Sequence, residues 1–361
     1  MGFTFLVKPA SGDCNMRCRY CFYFDTHSAP GARMSLRTLE RLISEACACP
    51  TKFLSFGWQG GEPTLAGLDF FREAVRLQQQ HRRPGQKIAN ALQTNGLLLD
   101  DEWCRFLKEQ NFLVGLSIDG EQARHDGARP DAGGHGTYDR AVRAFEMLKS
   151  HGVETNLLAV VTPDVARRGR QAYRSLKALG AEYLQFIPSL DGGSYALRPD
   201  EYGTFLKQVF DEWRADHEAG RHIGVQFFES VAAMATGRPP VTCQYAGTCE
   251  GQVVVEYNGS LYPCDFMVTP ERRLGSICDS PLIDVLQGER MKEYLTWAVR
   301  LPDYCRDCQF LHLCRGGCPH QRSMRGGDPS RPDYFCKSYQ TFFRHAVPDL
   351  VRLATARRPL A

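Results

Sequence analysis

Three cysteines close to the start of the chain, Cys14, Cys18 and Cys21, stand in a C-x3-C-x2-C array directly after the apolar segment Phe3–Val7. Three thiolates on one short loop can hold three irons of a 4Fe-4S cube, which ordinarily takes four cysteine ligands. The fourth iron then keeps an open position. The array therefore points to chemistry at the metal and not only to storage of a cluster. A structural zinc site is closed by four ligands, usually as two C-x2-C or Cys/His pairs. Here a third intervening residue breaks that pattern, and His27 is the nearest candidate for a fourth ligand. The bland alternative is a set of unligated cysteines on a buried loop, yet clustered cysteines are more often metal or redox sites.

Bulk properties narrow the class. At 361 residues the chain exceeds one typical domain and is long enough for a substantial core. Its hydrophobic content of 43% and charged content of 24% are ordinary for a soluble globular protein. A formal charge of +3, with scattered basic residues, argues against a nucleic-acid partner. No segment reaches membrane-span length, and Met1–Leu6 lacks the basic and apolar regions of a signal peptide. Leu6 also spoils a myristoylation pattern. Fifteen cysteines without a secretory signal argue for a reducing, cytoplasmic compartment and for metal binding over disulfides.

Short β-rich runs alternate with helical patterns through the first half. The expected strands are Phe3–Lys8, Phe53–Trp58, Lys87–Thr94, Leu113–Ile118, Glu154–Val161 and Tyr183–Pro188. Between them lie amphipathic stretches at Leu36–Cys47, Leu68–Gln80, Asp101–Gln110, Tyr138–His151 and Pro163–Leu179. Ser35 is a fitting N-cap, and Gly152 and Gly180 stand where helix stops are expected. Repeats of this kind imply an α/β fold with a parallel sheet and right-handed crossovers. Functional residues in such sheets gather at the carboxyl ends of strands. That rule selects the cysteine loop, Gln59-Gly60-Gly61-Glu62-Pro63, Gln93-Thr94-Asn95-Gly96 and Ser117-Ile118-Asp119-Gly120 as segments converging on one cavity.

The pattern changes after about Asp191. Helical stretches at Pro199–Ala219 and Gln226–Thr236 lead to a cysteine-rich region with a hairpin signal, Val253–Tyr257, Asn258-Gly259 and Ser260–Tyr262. A last amphipathic helix, Tyr339–Leu353, follows. The expected division is 1–190 for the β/α domain, 191–240 for a helical connector and 241–361 for the cysteine-rich domain. Nine cysteines lie from Cys243 onward, including Cys305-x2-Cys308-x5-Cys314-x3-Cys318. Spacing alone leaves zinc and iron–sulfur both open there, since both accept four thiolates.

Taken in order along the chain, these motifs resemble the radical S-adenosylmethionine (SAM) superfamily with a SPASM-type extension, and more narrowly the anaerobic sulfatase-maturating enzymes. The residues that carry the resemblance are Lys8-Pro9-Ala10, Cys14-Asn15-Met16-Arg17-Cys18-Arg19-Tyr20-Cys21-Phe22-Tyr23, Trp58 to Leu65, Gln93 to Gly96, Ser117 to Gly120 and the cysteines from Cys243 to Cys336. The resemblance implies a partial (β/α)6 radical SAM barrel with a cysteine-rich SPASM-type C-terminal domain containing a β-hairpin. It implies three 4Fe-4S clusters and SAM as cofactors. Cys14, Cys18 and Cys21 would ligate the SAM-binding cluster. Gly60, Gly61, Glu62 and Pro63 would carry the SAM amino group, Ser117 the ribose region and Arg129 the carboxylate, with Tyr20 also at the cofactor. By the same pattern Cys243, Cys249, Cys264 and Cys318 hold one auxiliary cluster, and Cys305, Cys308, Cys314 and Cys336 the other.

The implied reaction is oxidation of a Cys or Ser of a sulfatase to Cα-formylglycine through a 5′-deoxyadenosyl radical that takes hydrogen from Cβ. Asp265 matches the base, and Tyr23, Gln59 and Gln93 match positions that touch the peptide. Without the family, Asp265 and Arg129 read as solvated loop charges, and His125 and His135 as solvated loop histidines with no role. Cys47, Cys49, Cys104 and Cys278 read as packing residues. The implied partners are a sulfatase polypeptide and an external electron donor of flavodoxin or ferredoxin type, with no nucleic acid and no membrane. Two other readings stand beside this one: maturation of a ribosomally made peptide by cross-linking or epimerisation, and a zinc-stabilised binding protein. No extra N-terminal peptide-recognition domain is visible, because the cluster loop begins by Cys14, and the expectation therefore leans to the sulfatase branch.

Overall fold

The computed structural model describes residues 2–23, 29–190, 193–324 and 330–356; His27 and Asp191 lie outside them. The six expected strands are β1 (Phe3–Lys8), β2 (Phe53–Trp58), β3 (Lys87–Thr94), β4 (Leu113–Ser117), β5 (Thr155–Val161) and β6 (Tyr183–Pro188). Four shorter ones follow: β7 (Gly224–Val225), β8 (Gln252–Glu256), β9 (Ser260–Tyr262) and β10 (Gly275–Ser276). The chain divides into two compact units, each assembled from separated segments.

The first unit comprises residues 1–117, 126–155 and 250–295. Its strands run in the order β10-β9-β8-β1-β2-β3-β4, with β8, β1, β2, β3 and β4 parallel and β9 and β10 antiparallel to their neighbours. The hairpin of the cysteine-rich region is thus joined to the first strand of the chain, a pairing that local sequence could not announce. Its physical reason is burial: Val253, Val254 and Val255 are each 1% exposed or less, and a strand covered on both faces belongs inside a parallel sheet. Phe5 faces Phe56 across the pair at 5.4 Å, and Trp58 meets Phe71 of the helix Leu68–His81 edge-on at 5.4 Å. The helix Leu36–Ala48 starts where Ser35 accepts the Thr38 N–H at 3.1 Å and buries Leu39, Leu42, Ile43 and Ala46. Aromatic and aliphatic faces of this size supply most of a domain's stability.

The second unit comprises residues 118–125, 156–249 and 296–361. Here β5, β6 and β7 are parallel neighbours. The single helix expected over Pro163–Leu179 is two, Pro163–Ala166 and Gly169–Ala178. The break lets the Gly169 N–H donate to Gln208 of the helix Pro199–Glu218 at 2.9 Å, a tertiary demand that periodicity does not register. The last helix, Cys336–Ala356, packs along Pro199–Glu218 and Gln226–Ala235 through Phe210, Phe228 and Phe342, with ring centroids 5.3–5.7 Å apart.

Candidate active site

In the first unit the loop after β1 is laced to two other segments by backbone bonds. Gly61 N–H donates to Ser11 C=O at 2.7 Å and Glu62 N–H to Asp13 C=O at 2.8 Å. Arg17 and Arg19 donate to the carbonyls of Pro130 and Ala128 at 2.8 and 2.9 Å. The approach tolerates no side chain: a Cβ on Gly61 would lie 2.0 Å from the Asp13 carbonyl oxygen, and one on Gly60 would lie 2.7 Å from that of Ser11. Gly60 also has φ +129, which a side chain disfavours.

Glu62 is 1% exposed, and its carboxylate accepts from Thr64 Oγ1 (2.6 Å), Thr94 Oγ1 (2.7 Å) and the N–H groups of Asn95 (2.8 Å) and Thr64 (3.1 Å). Burial raises its pKa, opposed by those four donors. Asn95 passes the connection on, giving its Nδ2 hydrogens to Asn15 at 2.7 Å and to Cys14 Sγ at 3.9 Å. Of the expected segments, the cysteine loop, Gly60–Pro63 and Thr94-Asn95 are therefore brought together. The 128–132 segment joins them.

Arg129, expected to be a solvated charge unless the family pattern held, is 5% exposed, and its Nη1 donates to the Tyr20 hydroxyl at 2.8 Å. Ser117 ends β4 half-buried. Gln59 and Gln93 stand at the ends of β2 and β3, and their side chains have no hydrogen-bond partner among the described residues. His125 is fully buried in the helix Gln122–Ala128, where Nδ1 accepts the Asp119 N–H at 3.3 Å; the solvated-loop reading fails because the helix turns the ring inward. His135 is exposed as expected, 3.3 Å from Asp131.

The sulfurs of Cys14, Cys18 and Cys21 are half-buried. Burial pushes the Cys14 thiol up to about 12, helped by the charges of Glu62, Cys18 and Cys21. A thiol so placed gives up its proton to a metal far more readily than to water.

Asp265, one residue beyond Cys264, is not the solvated turn carboxylate of the bland reading. Its side chain is 19% exposed and forms an ion pair with Lys8, which is 2% exposed. The Lys8 ammonium also lies 4.3 Å over the Tyr23 ring. Tyr23 is buried; its hydroxyl donates to Glu256, which also accepts from Ser11 Oγ at 3.0 Å. Burial and the Glu256 charge push the Tyr23 phenol well up. Sequence reasoning missed Lys8 and Glu256 as site residues. The available signal was a charged residue closing an otherwise apolar strand in each case, and the two are register partners across β1 and β8.

In the second unit Cys305, Cys308, Cys314 and Cys336 line one cavity, closed by Phe310 and Tyr339 among others. Burial pushes Cys336 to about 12 and Cys314 to about 11, each also raised by the neighbouring thiols. Cys318 rises to about 12 by burial and feels the charge of Cys243. Cys264 belongs to the first unit, and Cys243, Cys249 and Cys318 to the second. Four thiols lining one buried cavity suit an iron–sulfur cluster. Cys47, Cys49 and Cys104 are buried as packing residues, whereas Cys278 is exposed, its Sγ set toward the Asn258 carbonyl at 3.7 Å after the hairpin turn carries it outward.

Known proteins bear on this geometry. The sequence pattern of the radical SAM superfamily matches residues 9–173, and that of SPASM, an iron–sulfur cluster-binding domain, matches residues 243–309. A cysteine-type anaerobic sulfatase-maturating enzyme of Clostridium perfringens is 37% identical over 97% of this chain and 98% of its own length. A serine-type enzyme of Bacteroides thetaiotaomicron is 35% identical over 95% of this chain and 89% of its own. A solved structure described as native anSMEcpe with bound AdoMet and Cp18Cys peptide superposes with a TM-score of 0.94 at 36% identity, covering 99% of this chain and 100% of that one.

The Glu62 network predicts a graded effect on stability. Glu62→Ala leaves buried donors without an acceptor, each at about 1–3 kcal/mol, whereas Glu62→Gln keeps one acceptor oxygen. The midpoint of anaerobic urea unfolding is expected to fall further for the Ala variant than for Gln; equal midpoints would mean that the donors find other partners.

Proposed function

This chain belongs to the anaerobic sulfatase-maturating enzymes, within the radical SAM superfamily, and we propose that it oxidises a Cys or Ser of a sulfatase polypeptide to Cα-formylglycine. The observation that carries this reading is the Asp265 carboxylate, gripped by the buried Lys8 one residue from Cys264, in a chain similar to such enzymes from end to end. Cys14, Cys18 and Cys21 would hold the SAM-binding cluster, with Gly60–Pro63, Ser117, Arg129 and Tyr20 around SAM. The two auxiliary clusters would take Cys243, Cys249, Cys264 and Cys318, and Cys305, Cys308, Cys314 and Cys336. When bound, these groups supply a radical that abstracts hydrogen from the target Cβ and a sink for the second electron.

The protein's own share is positioning and proton transfer. Asp265 takes the proton from the target Sγ or Oγ; a Ser then gives the aldehyde directly, whereas a Cys gives a thioaldehyde that water hydrolyses to the aldehyde with release of sulfide. A free thiol and a free aspartate differ by more than four pKa units, about 6 kcal/mol against transfer. The proton must therefore leave as the substrate carbon is oxidised, when the sulfur or oxygen becomes acidic. Lys8 fixes the carboxylate for that moment, and the Tyr23 ring, braced through its hydroxyl by Glu256, supports Lys8 from the other side. Tyr23, matched by its sequence position to a peptide contact, is thus better suited to holding Lys8 than to offering its hydroxyl. Gln59 and Gln93 offer amides for an extended peptide backbone. Phe266, 37% exposed and 5.0 Å from Phe22, adds an apolar wall beside Asp265.

Reduced flavodoxin or ferredoxin and a cytoplasmic setting belong to the same reading. All fifteen cysteines are unbridged, and no helix among the described residues is long and apolar enough to cross a membrane.

The test is anaerobic incubation of the reconstituted enzyme with SAM, a low-potential reductant and peptides containing Cys-x-Pro-x-Arg or Ser-x-Ala-x-Arg. Mass spectrometry is expected to find an aldehyde at the Cys or Ser; a cross-link or epimer in some other peptide would favour a different maturase. Asp265→Asn is expected to keep SAM binding and lose most aldehyde, and unchanged product would remove Asp265 from the mechanism. Lys8→Met is expected to uncouple the reaction, with 5′-deoxyadenosine still formed while aldehyde per turnover drops about tenfold or more, a loss of roughly 1.4 kcal/mol in the chemical step. Lys8→Arg should recover part of that ratio. Parallel loss of both products in Lys8→Met would give Lys8 a structural role only.

A further inference from the structure

Arg322, which the mechanism leaves unused, is a buried cation set among the auxiliary cysteines. It lies in the short helix Pro319–Ser323, which starts directly after Cys318, and is 3% exposed. Its Nη1 donates to the carbonyls of Gly316 and Gly317 at 3.1 and 3.3 Å, and its Nη2 donates to that of Ala298. Nε is buried with no hydrogen-bond partner among the described residues. All its hydrogen bonds therefore go to neutral carbonyls.

Arg315, Gly316 and Gly317 are the link between Cys314, assigned above to one auxiliary cluster, and Cys318, assigned to the other. The guanidinium clasps that link. Close by lies Asp333, 6% exposed, whose carboxylate accepts from the N–H of Cys318 at 3.0 Å and of Phe335 at 2.8 Å. Asp333 also lines the cavity of Cys305, Cys308, Cys314 and Cys336. Burial pulls the Arg322 guanidinium below its usual range, and the charges of Cys318, Asp333, Cys249 and Cys305 oppose that pull. These charged neighbours include cysteines from both groups.

An isolated charge removed from water costs several kcal/mol unless opposite charge compensates it. Carbonyl dipoles alone are a partial remedy. A cluster held by four thiolates is net negative, and more so once it accepts an electron. A fixed cation nearby stabilises the reduced form more than the oxidised one, which raises the reduction potential.

We propose that the buried Arg322 guanidinium sets the potentials of the auxiliary clusters, above all that of the cluster on Cys249 and Cys318, raising it so that the electron leaving the substrate is accepted. Arg322 is a positioning residue in this scheme; it touches neither substrate nor reacting atoms. The inference rests on the ligand assignment of the proposed function.

The experiment is an anaerobic potentiometric titration of the reconstituted full chain, followed by electron paramagnetic resonance. Wild type comes first: iron and acid-labile sulfide well short of about twelve each per chain, the content of three cubes, would overturn the ligand assignment and this inference together. Arg322→Met is expected to shift auxiliary reduction to lower potential and to leave the SAM-binding cluster unmoved. Arg322→Lys, which keeps the charge, should remain near wild type. Full loading with unmoved auxiliary potentials in Arg322→Met would overturn the inference alone. If the Met variant does not load, Arg322→Gln carries the test, since it is neutral yet can still donate to the glycine carbonyls. The same downward shift is expected of it, and unmoved potentials would overturn the proposal.

Discussion

Two backbone hydrogen bonds, from Gly61 and Glu62 to the carbonyls of Ser11 and Asp13, hold the first cysteine loop in register with the end of β2. They seat Glu62 under the loop, Glu62 gathers Thr94 and Asn95 from the end of β3, and Asn95 reaches Asn15 and Cys14. The clasp demands backbone without side chains on one strand end and an unusual turn on the other. Ser11 adopts φ 51, a conformation that disfavours a residue with a Cβ by about 1–2 kcal/mol. Its carbonyl and hydroxyl bonds offset that cost.

Charge is handled by the same economy of partners. Lys8 and Glu256 are buried opposite each other on β1 and β8, yet each turns to a different group, Lys8 to Asp265 and Glu256 to Tyr23 and Ser11. A buried ion pair is a weak source of net stability but a strong source of geometric definition. Here it fixes the position of the Asp265 carboxylate.

The buried thiols carry the opposite problem. Cys14, Cys314, Cys318 and Cys336 all resist ionisation as protein side chains. In the ligand roles proposed above, iron would supply the positive charge that makes their thiolates stable, and metal loading would be linked to consolidation of the fold. The aromatic packing of Phe210, Phe228 and Phe342 in the second unit involves none of these cysteines.

Local sequence patterns set the alternation of strands and helices, the C-x3-C-x2-C loop after β1 and the Gly-Gly-Glu-Pro turn after β2. Each is a local matter: side-chain period, cap and turn chemistry, or ligand spacing along a few residues, reinforced by a motif order specific to one family. Only the tertiary structure decided that β8 lies beside β1, that Arg129 turns inward to Tyr20, that the stretch after Thr162 breaks at Gly169, and that Lys8, Tyr23, Glu256 and Asp265 form one network. Those outcomes depend on burial and on hydrogen bonds between residues more than 200 positions apart in the Lys8–Asp265, Tyr23–Glu256 and Ser11–Glu256 contacts. No periodicity spans such a distance; the partners are chosen when the sheet closes and every buried polar group must find one.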